Sequence, residues 1–147
     1  KKIDSLGYLF GDEGSGFEMG KNIFIKYKRD DLPQDLSLIF KQMYDKNNDL
    51  LEKIYLETNT SKLVSNFSEF VFENKDHPYV DYYINEHFTS YFNKILSNYN
   101  KRYYLNFCGS LAYYFKSYVK NISKKKEYKI GKIISKPIKY LSKYHSQ

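Results

Sequence analysis

Apolar residues recur at intervals of three and four along most of the chain, and this spacing predicts a series of amphipathic helices. A first helix over Phe17–Tyr27 ends before Pro33, because proline cannot continue a helix beyond its first turn. Four further apolar stripes follow, and we expect them, with His87 on the last, to form a helical core. In chain order they are Leu36, Ile39, Phe40 and Met43; Leu50, Leu51, Ile54 and Tyr55; Leu63, Phe67, Phe70 and Val71; and Val80 to Leu96.

The pattern changes in the last third of the chain. Tyr103–Cys108 reads as a buried strand that Gly109 ends, and Ser110 is expected to cap a following helix. A second strand is predicted at Tyr128–Ile134, and Pro137 is expected to begin a final short helix. Two strands joined by a helix form a crossover unit, so these two strands should pair in parallel.

The segment Gly7–Gly16, with the sequence GYLFGDEGSG, joins a strand-like apolar run to an acidic glycine loop. Glycine adopts positive φ without steric cost, so such a loop can turn sharply or approach a ligand closely. A strand, an acidic glycine loop and a helix in this order commonly hold a small polar ligand. The alternative is a tight turn in which Asp12 or Ser15 caps the helix. Both interpretations stay open on local chemistry alone.

Composition narrows the function classes. The 147 residues suit one domain with a real core, and 24 Lys and Arg against 17 Asp and Glu give a net charge of +7. The densest basic run, Lys124–Lys126, lies between a helix-like and a strand-like segment, where a solvated connection is the simpler interpretation. The 17 Tyr and 11 Phe lie largely on helical faces, which bury aromatic rings more often than they present them. We therefore expect no nucleic-acid partner.

Metal and membrane classes are also disfavoured. Cys108 is the single cysteine, which excludes an internal disulfide and a cysteine-ligated zinc or iron–sulfur site within one chain. His77, His87 and His145 lack the spacing of a metal site. No apolar run approaches the length of a membrane span, and no signal peptide opens the chain. We therefore expect no metal site, no membrane partner and a cytoplasmic protein.

The glycines after the acidic loop do not form a known nucleotide motif. Gly14, Gly16 and Gly20 miss the dinucleotide-binding spacing by one residue. Gly16 to Lys21 is one residue short of a phosphate-binding P-loop, and Asn22 stands where that loop needs Ser or Thr. A nucleotide-binding function would therefore need other support.

Five segments of the chain follow the order and spacings of one known family. By these motifs the sequence resembles the N-acetylglucosamine kinase-like branch of the BadF/BadG/BcrA/BcrD-type ATPases, within the actin-like ATPase superfamily. The resemblance extends over nearly all 147 residues. The segments are Leu6–Gly16, Met19–Lys21, Lys75–Val80, Asn106–Phe115, and Ile130–Ile138 continuing to Tyr144-His145.

The resemblance implies a helix-rich α/β fold, the C-terminal lobe of the actin-like (ribonuclease H-like) ATPases. It implies one domain over 1–147, with a mostly helical insertion over 17–100. A strand–helix–strand–helix unit over 103–145 would supply a small mixed or parallel sheet. In the family, an N-terminal lobe carries the phosphate loop and the catalytic aspartate, and nothing between Lys1 and Gln147 matches either. We therefore expect the N-terminal lobe to be absent from this chain, and no catalytic residue within it.

The resemblance also assigns a sugar-binding role to the acidic loop. Asp12 would accept hydrogen bonds from sugar hydroxyls, a task that suits a carboxylate with two acceptor oxygens. Gly11, Glu13 and Gly14 would line the same loop. Leu6 stands where many sugar kinases of the family carry Trp, so the resemblance leaves the sugar itself unspecified.

For the nucleotide, the resemblance points to Gly109 and Ser110 as the turn that binds adenosine. The cofactors implied are ATP and Mg²⁺, held mainly by the absent lobe. An isolated chain of this kind should therefore catalyse no phosphoryl transfer, which depends on groups arranged around Mg²⁺.

The function implied for the intact protein is an ATP-dependent kinase that transfers the γ-phosphate of ATP to an amino sugar or hexose. One alternative is a non-catalytic sugar- or nucleotide-binding regulatory protein of the same fold. Another is an ATPase activator of an acyl-CoA reductase or dehydratase, in which an iron–sulfur cluster bridges two subunits. Cys108, inside a predicted strand, is poorly placed for such a cluster. The resemblance also leaves a homodimer open.

Overall fold

The structure is a computed structural model that describes Asp4 and residues 6–138. The described residues divide into two units, one running from Asp4 to His87 and a second that contains the described residues from Phe88 onward. Helices build the first unit, and the second combines helices with a small sheet. The helix-rich α/β class predicted from the sequence is confirmed, whereas the single-domain organisation over 1–147 stays a prediction.

The helices from Gly16 to Lys94 form where the apolar stripes predict them. Asp30 and Asn48 lie in the connections with φ of 57° and 58°, a conformation that Asp and Asn tolerate better than most residues. The helices are α1 (Gly7–Phe10), α2 (Gly16–Lys28), α3 (Gln34–Tyr44), α4 (Leu50–Leu56), α5 (Thr60–Glu73) and α6 (Pro78–Lys94), followed by a 3₁₀ turn at Leu96–Asn98.

Helices α2 and α5 pack closely because α2 carries glycine on the facing side. A Cβ atom at Gly20 would overlap the carbonyl oxygen of Val64. At Gly16 the same addition would come only into ordinary contact, 3.5 Å from the Ser68 Oγ. Gly16 and Gly20 therefore belong to a helix-packing surface, and Gly20 sets how closely the two backbones approach.

Aromatic rings fill the interior of the first unit. The Phe40 ring lies edge-on to Phe67 and Phe70, with centroid distances of 5.4 and 5.1 Å. Such edge-to-face pairs add roughly 0.5–1.5 kcal/mol beyond the area they bury. The buried hydroxyl of Tyr83 donates a hydrogen bond of 2.7 Å to the Met19 carbonyl oxygen. The interpretation of the aromatic residues as core is confirmed for these rings.

A buried carboxylate joins α2 to the turn before α4. The Asp45 side chain is inaccessible to solvent and lies 2.6 Å from the Lys28 Nζ. It also accepts hydrogen bonds from the Tyr27 hydroxyl at 3.0 Å and the Leu50 N–H at 2.9 Å. Burial alone would raise the pKa of Asp45, but these three donors outweigh it and lower the pKa below its usual value.

The prediction of a strand-like run at Gly7–Phe10 is wrong. The segment forms the single helical turn α1, closed by a hydrogen bond of 2.9 Å from the Gly11 N–H to the Gly7 carbonyl oxygen. Leu6 and Phe10 are 61% and 79% exposed, so these two apolar residues are not part of the buried core. A strand needs a paired neighbour, and within the described residues the two strands pair only with each other.

The second unit contains the predicted crossover. Its strands β1 (Tyr104–Cys108) and β2 (Lys129–Ile134) pair in parallel, as expected, with a register shift between Leu105 and Phe107. Two helices, α7 (Ser110–Tyr114) and α8 (Lys116–Lys125), replace the single helix expected between the strands. The buried hydrophobic side chains among the described residues of this unit are Phe88, Phe92, Leu96, Phe115, Val119, Ile122 and Tyr128.

Two details of this region differ from the predictions. Strand β1 is not buried but alternates between exposed and half-buried positions, because a two-stranded sheet leaves much of its surface uncovered by the described residues. Ser110 does not cap α7. Gly109 occupies the N-cap position, and because glycine has no side chain it cannot accept a capping hydrogen bond. The body of the helix expected after Pro137 lies outside the described residues.

No helix among residues 6–138 is both long and apolar enough to cross a lipid bilayer.

Candidate functional site

The acidic loop connects α1 to α2 and is organised by Ser15. The Ser15 Oγ accepts a hydrogen bond of 3.1 Å from the Glu18 N–H and so caps α2. The same oxygen donates a hydrogen bond of 2.7 Å to the Asp12 Oδ2. The sequence left open a ligand-binding loop or a turn that caps the helix. The capping turn is present, and Ser15 rather than Asp12 is the cap.

A second contact fixes the loop from the helix side. The Glu18 Oε2 accepts a hydrogen bond of 2.7 Å from the Gly14 N–H, and Gly14 has a φ of 75°. Ser15 and Glu18 thus form a variant of the capping box, in which the glutamate reaches one residue further back than usual. Sequence reasoning missed the contribution of Glu18, although its Ser-x-x-Glu spacing was visible.

His87 lies behind this glutamate and is buried, as predicted. Its Nδ1 is 3.8 Å from the Glu18 Oε2. Burial lowers the pKa of His87, and the Glu18 carboxylate and a hydrogen bond with the Gly14 backbone oppose the shift without cancelling it. The ring lies against the Glu18 carboxylate on the buried side of the loop.

The loop leaves one acceptor available beside its internal contacts. Asp12 is half-buried, and its Oδ1 accepts no hydrogen bond from any residue that the structure describes. Gly11 is required by the fold, since a Cβ there would lie 2.8 Å from the Leu6 Cβ. Glu13 is half-buried next to Asp12. The roles of Gly11, Asp12, Glu13 and Gly14 in sugar binding stay predictions, and the geometry is compatible with a hydroxyl at Asp12.

The turn after β1 has a different character. Gly109 has a φ of 133°, a conformation that side chains rarely adopt, and its N–H donates to the Ile134 carbonyl oxygen at 2.9 Å. A Cβ added at this residue would meet no atom within 4 Å. The turn stands at the C-terminal end of a parallel strand, the usual position of ligands in α/β sheets.

A bulge in the sheet positions this turn. The Asn106 Oδ1 accepts a hydrogen bond of 2.8 Å from the Lys132 N–H. Gly131 makes room for this side chain, because a Cβ there would overlap the Asn106 Oδ1. Asn106 and Gly131 therefore hold the register of β1 and β2 just before Gly109.

The two candidate loops belong to different units, the acidic loop to the first and the Gly109-Ser110 turn to the second. The roles of Gly109 and Ser110 in nucleotide binding stay predictions. For a metal ion the residues fit less well: within the part of the chain that the structure describes, no three His, Cys, Asp or Glu side chains are placed to hold one.

Comparison with known proteins places the fold. A solved structure of a candidate N-acetylglucosamine kinase from Porphyromonas gingivalis superposes with a TM-score of 0.86 at 26% sequence identity. The match covers 97% of this chain and 51% of that chain, so this chain spans about half the length of the protein it resembles. No protein-family model matches the sequence, and no curated protein matches it. The predicted resemblance to the C-terminal lobe of such a kinase is confirmed in the fold.

Proposed function

We propose that this chain is the C-terminal lobe of an ATP-dependent kinase that phosphorylates an amino sugar or hexose. The observation that carries the proposal is the structural match over 97% of the chain to a candidate N-acetylglucosamine kinase. Because that match spans about half of the other protein, the activity is proposed for an intact protein that contains this chain.

In this function the chain binds and orients its substrates. When bound, ATP supplies the phosphoryl group and Mg²⁺ offsets its charge. Ser15 holds one oxygen of Asp12, and the other oxygen accepts a sugar hydroxyl. Gly109 leaves its surface free of side-chain atoms, so a nucleoside can lie against the backbone. Holding reactants in a fixed geometry lowers the barrier of a transfer reaction by several kcal/mol.

The proposal is tested by kinetics of the intact protein. Purified protein is incubated with ATP, Mg²⁺ and a panel of hexoses and N-acetylhexosamines, and ADP release is measured. We expect sugar-dependent turnover, and we expect Asp12→Ala to raise the sugar KM or lower kcat at least tenfold, about 1.4 kcal/mol.

Asp76→Ala is the matched control, because the Asp76 side chain is 91% exposed and forms an ion pair with its neighbour Lys75. It should leave both kinetic constants unchanged. Sugar binding without turnover would instead support the non-catalytic regulatory protein. Turnover unaffected by Asp12→Ala would remove Asp12 from the sugar site.

A further inference from the structure

The acidic loop is held from two sides by groups that would not themselves touch a ligand. Glu18 accepts the Gly14 N–H at 2.7 Å, and the buried ring of His87 contacts the same carboxylate at 3.8 Å. Ser15, between Gly14 and α2, donates to the Asp12 Oδ2 at 2.7 Å. The Asp12 carboxylate is therefore tied through Ser15 to a turn whose conformation depends on Glu18.

The energetic weight of this contact comes from its charge. A hydrogen bond between a backbone N–H and an ionised carboxylate is about twice as strong as a neutral one. The Glu18 side chain is 22% exposed and His87 covers it, so water competes weakly for the carboxylate. Gly14, at φ 75°, has many other conformations open to it, and this bond selects one.

We infer that Glu18 is a positioning residue for the sugar site: it fixes Gly14 and Ser15 so that Asp12 keeps one carboxylate oxygen oriented for a sugar hydroxyl. This inference rests on the proposed sugar kinase function. Glu18 makes no contact with substrate and acts only through the loop. The role goes beyond helix capping, because the Ser15 hydroxyl that caps α2 also donates to Asp12.

The variant Glu18→Ala in the intact protein tests the inference. We expect the sugar KM to rise about tenfold, with the ATP KM and kcat changed less than twofold. Glu18→Gln keeps an oxygen that can accept the Gly14 N–H, so its sugar KM should stay within about threefold of the parent. The expected difference between the two variants is the signature of a lost hydrogen bond.

Glu52→Ala is the matched control. Glu52 is the third residue of α4, as Glu18 is the third residue of α2, so both variants remove an acid from the first turn of a helix. A loss of helix stability alone would affect both variants in the same way. Only Glu18→Ala should change the sugar KM.

A double-mutant cycle tests whether Glu18 acts through Asp12. If Glu18 acts through Asp12, the Asp12→Ala/Glu18→Ala variant should match Asp12→Ala alone, because there is no carboxylate left to orient. Additive losses would overturn the inference. So would a normal sugar KM in Glu18→Ala beside a raised one in Asp12→Ala, a result that leaves the proposed function standing. A parent protein without sugar-dependent turnover would overturn both.

Discussion

Gly20 and Gly109 occupy opposite surroundings. A side-chain atom at Gly20 would overlap the Val64 carbonyl oxygen, whereas one at Gly109 would meet nothing within 4 Å. The interior packing of the first unit fully explains why residue 20 is glycine. At residue 109 the backbone, with φ of 133°, demands glycine, yet the space above it is used by no described residue. Packing therefore does not explain the glycine at residue 109, so its proposed contact with a nucleotide can be tested apart from its role in the fold.

Two carboxylates show the same contrast. Asp45 is inaccessible to solvent and accepts hydrogen bonds from Tyr27, Lys28 and Leu50. Asp12 is half-buried and shares one oxygen with Ser15. Asp45 therefore stabilises the fold, and both of its carboxylate oxygens accept hydrogen bonds from within the protein. Asp12 retains an acceptor, so its proposed function can be tested apart from its contribution to stability.

The largest expected effect is on the buried carboxylate. Asp45→Ala should lower the free energy of unfolding by about 3 kcal/mol, because it leaves the Leu50 N–H and the Lys28 ammonium without their buried partner. Denaturant unfolding monitored by circular dichroism measures it. Asp76→Ala, at an exposed position, should cost less than about 0.5 kcal/mol. Equal losses in the two variants would mean that the Asp45 network contributes nothing.

The same network predicts how stability depends on pH. The pKa of Asp45 is lowered below 3.8, so its stabilisation is present above that pH and is lost as the pH falls through the folded-state value. Burial, and next the hydrogen bond to Asp45, raise the pKa of Tyr27 from 10.0 to about 12, so its stabilisation is lost as the pH rises through that range. In Asp45→Ala the acid-side loss should shrink.

Gly20→Ala should produce the next largest effect, a loss of about 2 kcal/mol, because the overlap is with backbone that cannot rotate away. Gly16→Ala, on the same helix, comes only into ordinary contact and should leave stability unchanged or slightly raised. Thermal unfolding of the two variants compares them directly. A stable Gly20→Ala variant would show that α2 and α5 can separate at little cost.

At Gly109 the expected loss of stability is smaller and the functional loss larger. Gly109→Ala should cost about 1–2 kcal/mol through backbone strain and weaken ATP binding by the intact protein at least tenfold. Gly7→Ala is the control for strain, because Gly7 also has positive φ and no atom near its Cβ position. It should lose similar stability with unchanged ATP affinity. Calorimetry in which Gly109→Ala binds ATP like the parent would contradict the nucleotide assignment.

The sequence predicts the helices and the parallel strand pair because both follow from local periodicity. The stripe of Leu63, Phe67, Phe70 and Val71 lies within α5, whose Phe67, Phe70 and Val71 are buried. Local periodicity does not predict secondary structure where contacts with other elements determine it. Gly7–Phe10 is apolar and strand-like in sequence, yet it forms a helical turn that ends in an exposed Phe10, because no described strand lies beside it.

The candidate sites divide in the same way. The residue spacing Ser-x-x-Glu is typical of a capping box, but it does not indicate that Glu18 binds Gly14 instead of Ser15. The Asn106 side chain replaces a sheet hydrogen bond only because Gly131, 25 residues away, leaves room for it. Such contacts join residues distant in sequence, and no local pattern encodes them.

The smallest expected effect on stability separates the cap from the site. Ser15→Ala should lower the free energy of unfolding by about 1 kcal/mol, since it removes the N-cap of α2. Asn59→Ala, which removes the N-cap bond to the Lys62 N–H in α5, should cost about the same. Only Ser15→Ala also takes a donor from Asp12, so only that variant should raise the sugar KM of the intact protein, by at least as much as Glu18→Ala does. A raised KM in both variants would trace the effect to general destabilisation, and a raised KM in neither would show that Asp12 does not depend on Ser15.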